Sequence, residues 1–309
     1  MYKVLLSLLF AVSSHAGVSD YFKPVSKKTI ISTLKNIDFI YVINLDQREE
    51  KFAHVVRELA PFGIIPHRFS AVNGWELSLE AIDNLGVRLS REMDSGQMGT
   101  YYAIPGGEAT HERVARMGQT YYCHCMTRGA IGIVLSHLSI LQDAYDSGYE
   151  IIWVMEDDIQ VIQNPHILSD LVELLDQSVG KEGWDILFTD RDTKNQNGEY
   201  VPCAAYAWRP NFTPPDPFIF QKRSQINGYF QRIGSRYGAY SMIIRRSGME
   251  KMLNFIKKHK IFLPYDMEYY FPENMRLFSV LNDVVSTLPN ALSDNGGPGY
   301  LSKQKAENP

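Results

Sequence analysis

Three consecutive carboxylates, Glu156, Asp157 and Asp158, follow the apolar run Ile151-Ile152-Trp153-Val154-Met155. Ionised carboxylates this close repel one another, and any that leaves water must take up a proton or gain a cation. In an extended segment side chains alternate, so Glu156 and Asp158 face one way and Asp157 the other. Such a pair suits a hard divalent ion, Mn²⁺ or Mg²⁺, and no His or Cys adjoins the triplet to favour zinc. The competing reading is a solvated acidic turn, which the apolar residues before it disfavour. An ion held there suits a reaction that builds charge on a departing diphosphate, as when a nucleotide-sugar loses its nucleoside diphosphate. The acceptor hydroxyl then needs a base, a role for an Asp or Glu.

The elements that must position these groups alternate between strand and helix signals. Residues 39–45, FIYVINL, are β-branched and aromatic like a central strand. A helix pattern with apolar Phe52, Val55, Val56 and Leu59 follows, with Asp46 as cap and Pro61 and Gly63 as its end. Residues 64–72 read as a second strand, 129–148 as a helix, 150–158 as a strand and 184–190 as another strand with an acidic end. Residues 237–260 read as a strand and then a helix capped by Ser247. This alternation predicts one α/β domain with a mostly parallel sheet and ligands at the carboxyl ends of its strands. Two irregular insertions interrupt it, at about 94–128 and 191–232.

Composition bounds the rest. The 309 residues are 45% hydrophobic and 21% charged, the balance of a globular chain. A net charge of −4 without a basic run argues against nucleic acid as a partner. Residues 1–16 read as a signal peptide, with one Lys, a short apolar run and small residues before a cleavage point after Ala16. That run is too short to span a bilayer of ~30 Å. Export to a periplasmic, lumenal or secreted location is the expectation, with the cytoplasmic membrane face as the alternative. Residues 17–37 are a lead-in, 38–290 the domain, and 291–309 a flexible tail that either frays or folds over a diphosphate. Cys123, Cys125 and Cys203 are too few for a disulfide framework, although one of the first two could pair with Cys203. Asn211-Phe212-Thr213 fits a glycosylation sequon.

Six segments in order, FIYVINLDQREEKF, RFSAVNGWEL, RGAIGIVLSHLSIL, IIWVMEDDIQV, WDILFT and RYGAYSMIIRRSGMEKML, resemble the successive motifs of glycosyltransferase family 25. That family includes lipooligosaccharide and procollagen galactosyltransferases. The resemblance covers roughly residues 38–270 and implies a GT-A-like fold, a UDP-sugar donor, often UDP-galactose, and inversion at the anomeric carbon. It also implies a divalent metal at a DxD-like triplet matched by Glu156-Asp157-Asp158, with Glu156 and Asp158 as ligands. Two positions depart from the family pattern: Ala130 stands where a Glu is usual, and Asn73 where an Asp is usual.

By the same resemblance, Asn44, Leu45 and Arg48 fall where the nucleotide binds. Arg48 reaches a phosphate or, on the plainer reading, forms helix ion pairs. Asn73 and Gly74 lie beside the base or ribose, or simply end a strand. Ser136 and His137 belong to the donor site or are structural, and Asp157 joins the donor contacts. Asp266 is the first choice for acceptor base, with Asp190 and Glu268 next; a helix cap and a turn residue are the alternatives for Asp266 and Asp190. Tyr265, Tyr269 and Tyr270 form a sugar-stacking surface or core. The function expected is metal-dependent inverting transfer of a hexose from a UDP-sugar to a hydroxyl of a glycan or lipid-linked saccharide, as in lipopolysaccharide biosynthesis. The alternative is a catalytically silent nucleotide- or sugar-binding protein. A nucleotidyltransferase or phosphohydrolase would want a Gly-rich phosphate loop, and none is evident.

Overall fold

A computed structural model describes residues 16–28, 32–203, 207–212, 216–289, 291 and 293–297. Residues 1–15 of the expected signal peptide, Thr213 of the sequon and the last residues of the tail lie outside them. In chain order, β1 (Phe39–Asn44), α1 (Glu49–Leu59) and β2 (His67–Ser70) precede α2 (Leu79–Leu85). The short strands β3 (Val87–Arg88), β4 (Met98–Tyr101), β5 (Thr110–Arg113) and β6 (Thr120–Cys123) lead to α3 (Arg128–Asp146). Then come β7 (Ile151–Met155), β8 (Ile159–Val161), α4 (Ile167–Val179), β9 (Ile186–Phe188), β10 (Arg223–Gln225) and β11 (Phe230–Ile233). β12 (Ser241–Arg245), α5 (Arg246–His259), α6 (Tyr265–Glu268), β13 (Leu277–Val280) and β14 (Val285–Thr287) complete the order.

The main sheet has eight strands in the order β10-β11-β13-β9-β12-β7-β1-β2. Both faces of its middle strands are covered, which is why β1 and β7 are buried throughout and apolar but for Asn44. Phe39, Tyr41, Ile43, Ile152 and Val154 enter the core beneath α3 and α5. Ile40, Val42, Ile151, Trp153 and Met155 enter the core beneath α1 and α4. A side-chain period of two fixes this division. Fully burying side chains of this size stabilises by about 1.5–3 kcal/mol each.

Three expectations need correction. The sheet is mixed, not mostly parallel: β1 pairs β2 and β7, and β9 pairs β13, in parallel, whereas β12 runs antiparallel to both β7 and β9 and β11 to both β10 and β13. Strand-helix alternation sets the local units, but tertiary packing inserts β12 between β7 and β9 in the opposite direction. Residues 94–128 are no structureless insertion, because β3 to β6 form an antiparallel sheet of order β3-β6-β4-β5. The predicted caps also fail. Asp46 accepts from Arg68 and Ser70 instead, and the Ser247 hydroxyl donates to Asp185 Oδ1 at 2.6 Å.

Candidate active site

β7 ends at Met155, and the next three residues turn the chain toward β8. The Glu156 amide donates to the Tyr240 carbonyl at 2.9 Å, and the Asp158 carbonyl accepts from the Leu288 amide at 2.8 Å. α1 braces the same turn: His54 Nε2 lies 2.8 Å from the Ile159 carbonyl, and Glu58 accepts from the Val161 amide at 2.8 Å. At the end of β1, Asn44 ties the parts together. Its Nδ2 donates to Asp157 Oδ2 at 2.7 Å and to the Arg48 carbonyl at 2.8 Å, while its Oδ1 accepts from Arg68 Nε at 2.7 Å. Parallel pairing of β1 with β7 brings that amide to the carboxylate.

The triad is electrostatically unsettled. Burial pushes the Glu156 carboxyl up to about 7, with Asp157 and Asp266 adding to the effect. Burial, then Glu156 and Asp157, pushes Asp158 up to about 7 as well. Burial also raises Asp157, against the pull of Lys51, 3.7 Å away, and of Asn44. His137 Nε2 lies 3.2 Å from Glu156 Oε1, and its ring stacks on Tyr265 with centroids 4.1 Å apart. Burial lowers the imidazole to about 3, so His137 is neutral, with Nε2 within hydrogen-bond distance of Glu156 Oε1.

These features bear on a metal. Among the described residues no three His, Cys, Asp or Glu side chains form a ready-made cage. Asp158 Oδ1, however, is buried without a hydrogen-bond partner. Two crowded, desolvated carboxylates with an unmatched oxygen have the chemistry of donors to a hard cation, so the residues would fit Mg²⁺ or Mn²⁺.

Two cavities meet at Glu156. One, about 100 Å³, is bounded by Leu45, Lys51, Asn73, Gly74, Trp75 and the triad. The other, about 840 Å³, is bounded by Ala130, Trp208, Tyr237, Tyr265 and Asp266. Asp266 lies in the first turn of α6 and accepts from the Gly238 amide at 2.7 Å; burial raises its carboxyl.

Three other expected donor-site residues line the smaller cavity and also brace its frame. Ser136 Oγ accepts from the Val72 amide at 2.8 Å and donates to the Gly132 carbonyl at 2.8 Å, so it fixes the 72–74 turn on α3. Gly74 is a packing requirement at the cavity edge, since a Cβ there would stand 1.8 Å from the Arg128 carbonyl oxygen. Asn73 accepts from the Trp75 amide at 3.2 Å and donates to Glu76 at 2.7 Å.

Asp190 and Glu268 are corrected. Both are 0% exposed. Asp190 pairs with buried Arg236 at 2.6 Å, and Glu268 pairs with buried Arg209 at 2.6 Å while accepting the Phe262 and Leu263 amides. Each neutralises a core arginine and lines neither cavity. Tyr269 is likewise core, whereas Tyr265 reaches the larger cavity.

Sequence reasoning missed Lys51, Trp75 and the tail residues Asp294 and Asn295, all on the smaller cavity. Lys51, three residues after Arg48, has a legible spacing; the tail reads in the sequence only as a segment that frays or folds over a diphosphate, with nothing that singles out Asp294 or Asn295. Cys123, Cys125 and Cys203 form no disulfide among the described residues. No helix among the described residues is long and apolar enough to cross a membrane.

Residues 37–268 match the family model described as "Glycosyltransferase family 25 (LPS biosynthesis protein)". A "Glycosyltransferase 25 family member" of Drosophila melanogaster is 29% identical over 180 residues, 58% of this chain and 25% of the fly protein. One from Drosophila pseudoobscura pseudoobscura is 25% identical over 201 residues, 64% of this chain and 28% of that protein. The human "Inactive glycosyltransferase 25 family member 3" is 29% identical over 163 residues, 52% of this chain and 23% of its own length. The chain thus spans about a quarter of the length of the curated relatives it matches.

Proposed function

The chain belongs to glycosyltransferase family 25, and from that membership we propose that it is a metal-dependent inverting transferase moving a hexose, galactose being the first candidate, from a UDP-sugar to a hydroxyl of a glycan or lipid-linked saccharide. The observation that carries this reading is the meeting of the two cavities at Glu156, one walled by the acidic triad and one by Asp266. The smaller side takes the nucleotide-sugar and the larger side the acceptor.

Glu156 and Asp158 would hold Mn²⁺ or Mg²⁺, which supplies Lewis-acid stabilisation of the departing diphosphate. Asn44 fixes Asp157 at the end of β1. His137, neutral at physiological pH, orients Glu156 without adding a charge that would compete for its oxygen. Asp266, raised by burial, is a stronger base than an ordinary surface carboxylate and removes the acceptor's hydroxyl proton from the larger side. Attack from one cavity on a sugar whose leaving group points into the other is an in-line displacement, and that inverts the anomeric centre.

The test is hydrolysis and transfer of UDP-hexoses with and without Mn²⁺, for wild type and Asp158→Ala. The expected result is Mn²⁺-dependent turnover that falls about a hundredfold or more in the variant. Metal-independent turnover, or an unimpaired variant, rejects the reading. One feature favours the silent-binder alternative: Ala130 lies on the larger cavity and brings no carboxylate there. UDP binding without turnover of any donor would select it.

A further inference from the structure

In the C-terminal segment 293–297, Ser293, Asp294 and Asn295 form part of the wall of the smaller cavity, and Ser293 and Asn295 also border the larger one. Asp294 is the anchor, with a side chain only 8% exposed. Arg48 grips its carboxylate as a fork, Nε to Oδ2 at 2.7 Å and Nη2 to Oδ1, and Lys51 Nζ lies 3.9 Å from Oδ2. Trp75 Nε1 donates to the Asp294 carbonyl at 3.0 Å. Thr127 Oγ1, which caps α3 by accepting the Ala130 amide, donates to Asn295 Oδ1 at 2.6 Å. Even Gly129 is fitted to the segment, because a Cβ there would stand 2.8 Å from the Asn295 carbonyl oxygen.

The segment therefore sets a carboxylate against two cations next to the acidic triad. A guanidinium fork matches carboxylate and phosphate oxygens equally well. Size decides what this means. The space left under the segment is about 100 Å³, whereas pockets that hold drug-sized ligands run from about 300 Å³ upward. A nucleoside diphosphate does not fit while the segment stays. Charge points the same way, since the Asp294 carboxylate beside Arg48 and Lys51 would repel an incoming diphosphate.

We propose that Asp294 occupies the diphosphate subsite of the donor pocket as a built-in competitor, so that residues 293–297 must withdraw before a nucleoside diphosphate binds. This rests on the donor-site reading given above. A segment that stays closed about ten times as often as it opens weakens apparent affinity about elevenfold.

The experiment is calorimetric titration of UDP, and separately of inorganic pyrophosphate, into the full-length wild type, Asp294→Ala and Asn295→Ala in Mn²⁺ buffer. Asp294→Ala should bind both ligands about tenfold more tightly and show a lower donor KM. Asn295→Ala, which leaves every charge in place, should shift affinity the same way by a smaller factor, and it decides the matter if Asp294→Ala fails to fold. Unchanged or weaker binding by the variants overturns the competitor, weaker binding meaning a lid that helps hold the donor; either leaves the transferase reading standing. Absence of binding of both ligands to all three proteins overturns the donor-site reading together with the inference.

Discussion

Asp190→Asn separates core from chemistry in this chain. Asp190 is 0% exposed at the end of β9 and pairs with Arg236, itself 1% exposed, at 2.6 Å. Its other oxygen accepts from Ser286 Oγ at 2.9 Å and from the Tyr240 hydroxyl. Asparagine keeps the shape but leaves the guanidinium buried without its counter-charge. Breaking a buried ion pair this way costs about 3–5 kcal/mol. The rings of Phe188 and Tyr240, 4.7 and 5.0 Å from the guanidinium carbon, retain part of the attraction, which favours the lower end of that range. At about 2–4 °C per kcal/mol for a domain of this size, the melting point should fall by about 6–12 °C. Thermal and urea unfolding, with donor turnover measured at a temperature where the variant remains folded, make the assay. A variant that keeps its melting point and loses turnover by orders of magnitude would refute the structural assignment and return Asp190 to the reaction. Asp266→Asn should give that opposite pattern, with turnover lost and stability kept.

Two further perturbations test the frame around the site. Gly132→Ala would bring a Cβ to 2.5 Å from the Gly74 amide nitrogen and 2.6 Å from the Val72 carbonyl oxygen. Because both neighbours are backbone, it should cost about 3 kcal/mol, the upper end of ordinary overpacking, and raise the donor KM as the 72–74 turn shifts; denaturant unfolding and donor kinetics measure the two effects. Asp185 answers to pH: burial alone would raise its carboxyl, but Arg276, Lys251 and Ser247 outweigh that and hold it below the ordinary 3.8. Its contribution to stability is present above that ordinary value and lost as pH falls through the lower folded value. Asp185→Asn should therefore be destabilised at pH 7, with the gap to wild type narrowing below about pH 4, as urea midpoints taken across that range will show.

The acidic residues show where sequence reading stopped. Asp190, Asp266 and Glu268 all look alike in the chain, as carboxylates at or near the ends of apolar elements. Asp190 meets Arg236 46 residues away, and Glu268 meets Arg209 59 residues away, so burial beside an arginine removes both from the cleft. Asp266 accepts the Gly238 backbone amide through its carboxylate and faces the larger cavity. The small sheet of β3 to β6 escaped notice for a related reason. Its strands hold two to four residues each, rich in Gly, Thr and Tyr, too short for alternation to rise above noise.

What the sequence determined by itself was everything that repeats over a short span. The apolar runs of β1 and β7, the amphipathic α1, and a carboxylate triplet placed straight after a buried strand are local patterns, and local patterns survive without knowledge of the fold. The tertiary structure alone decided strand direction, the arginine assigned to each buried acid, and the meeting of Asp294 with Arg48 across 246 residues. Those outcomes depend on which surfaces close against one another, and on which charges must be neutralised once water has been expelled.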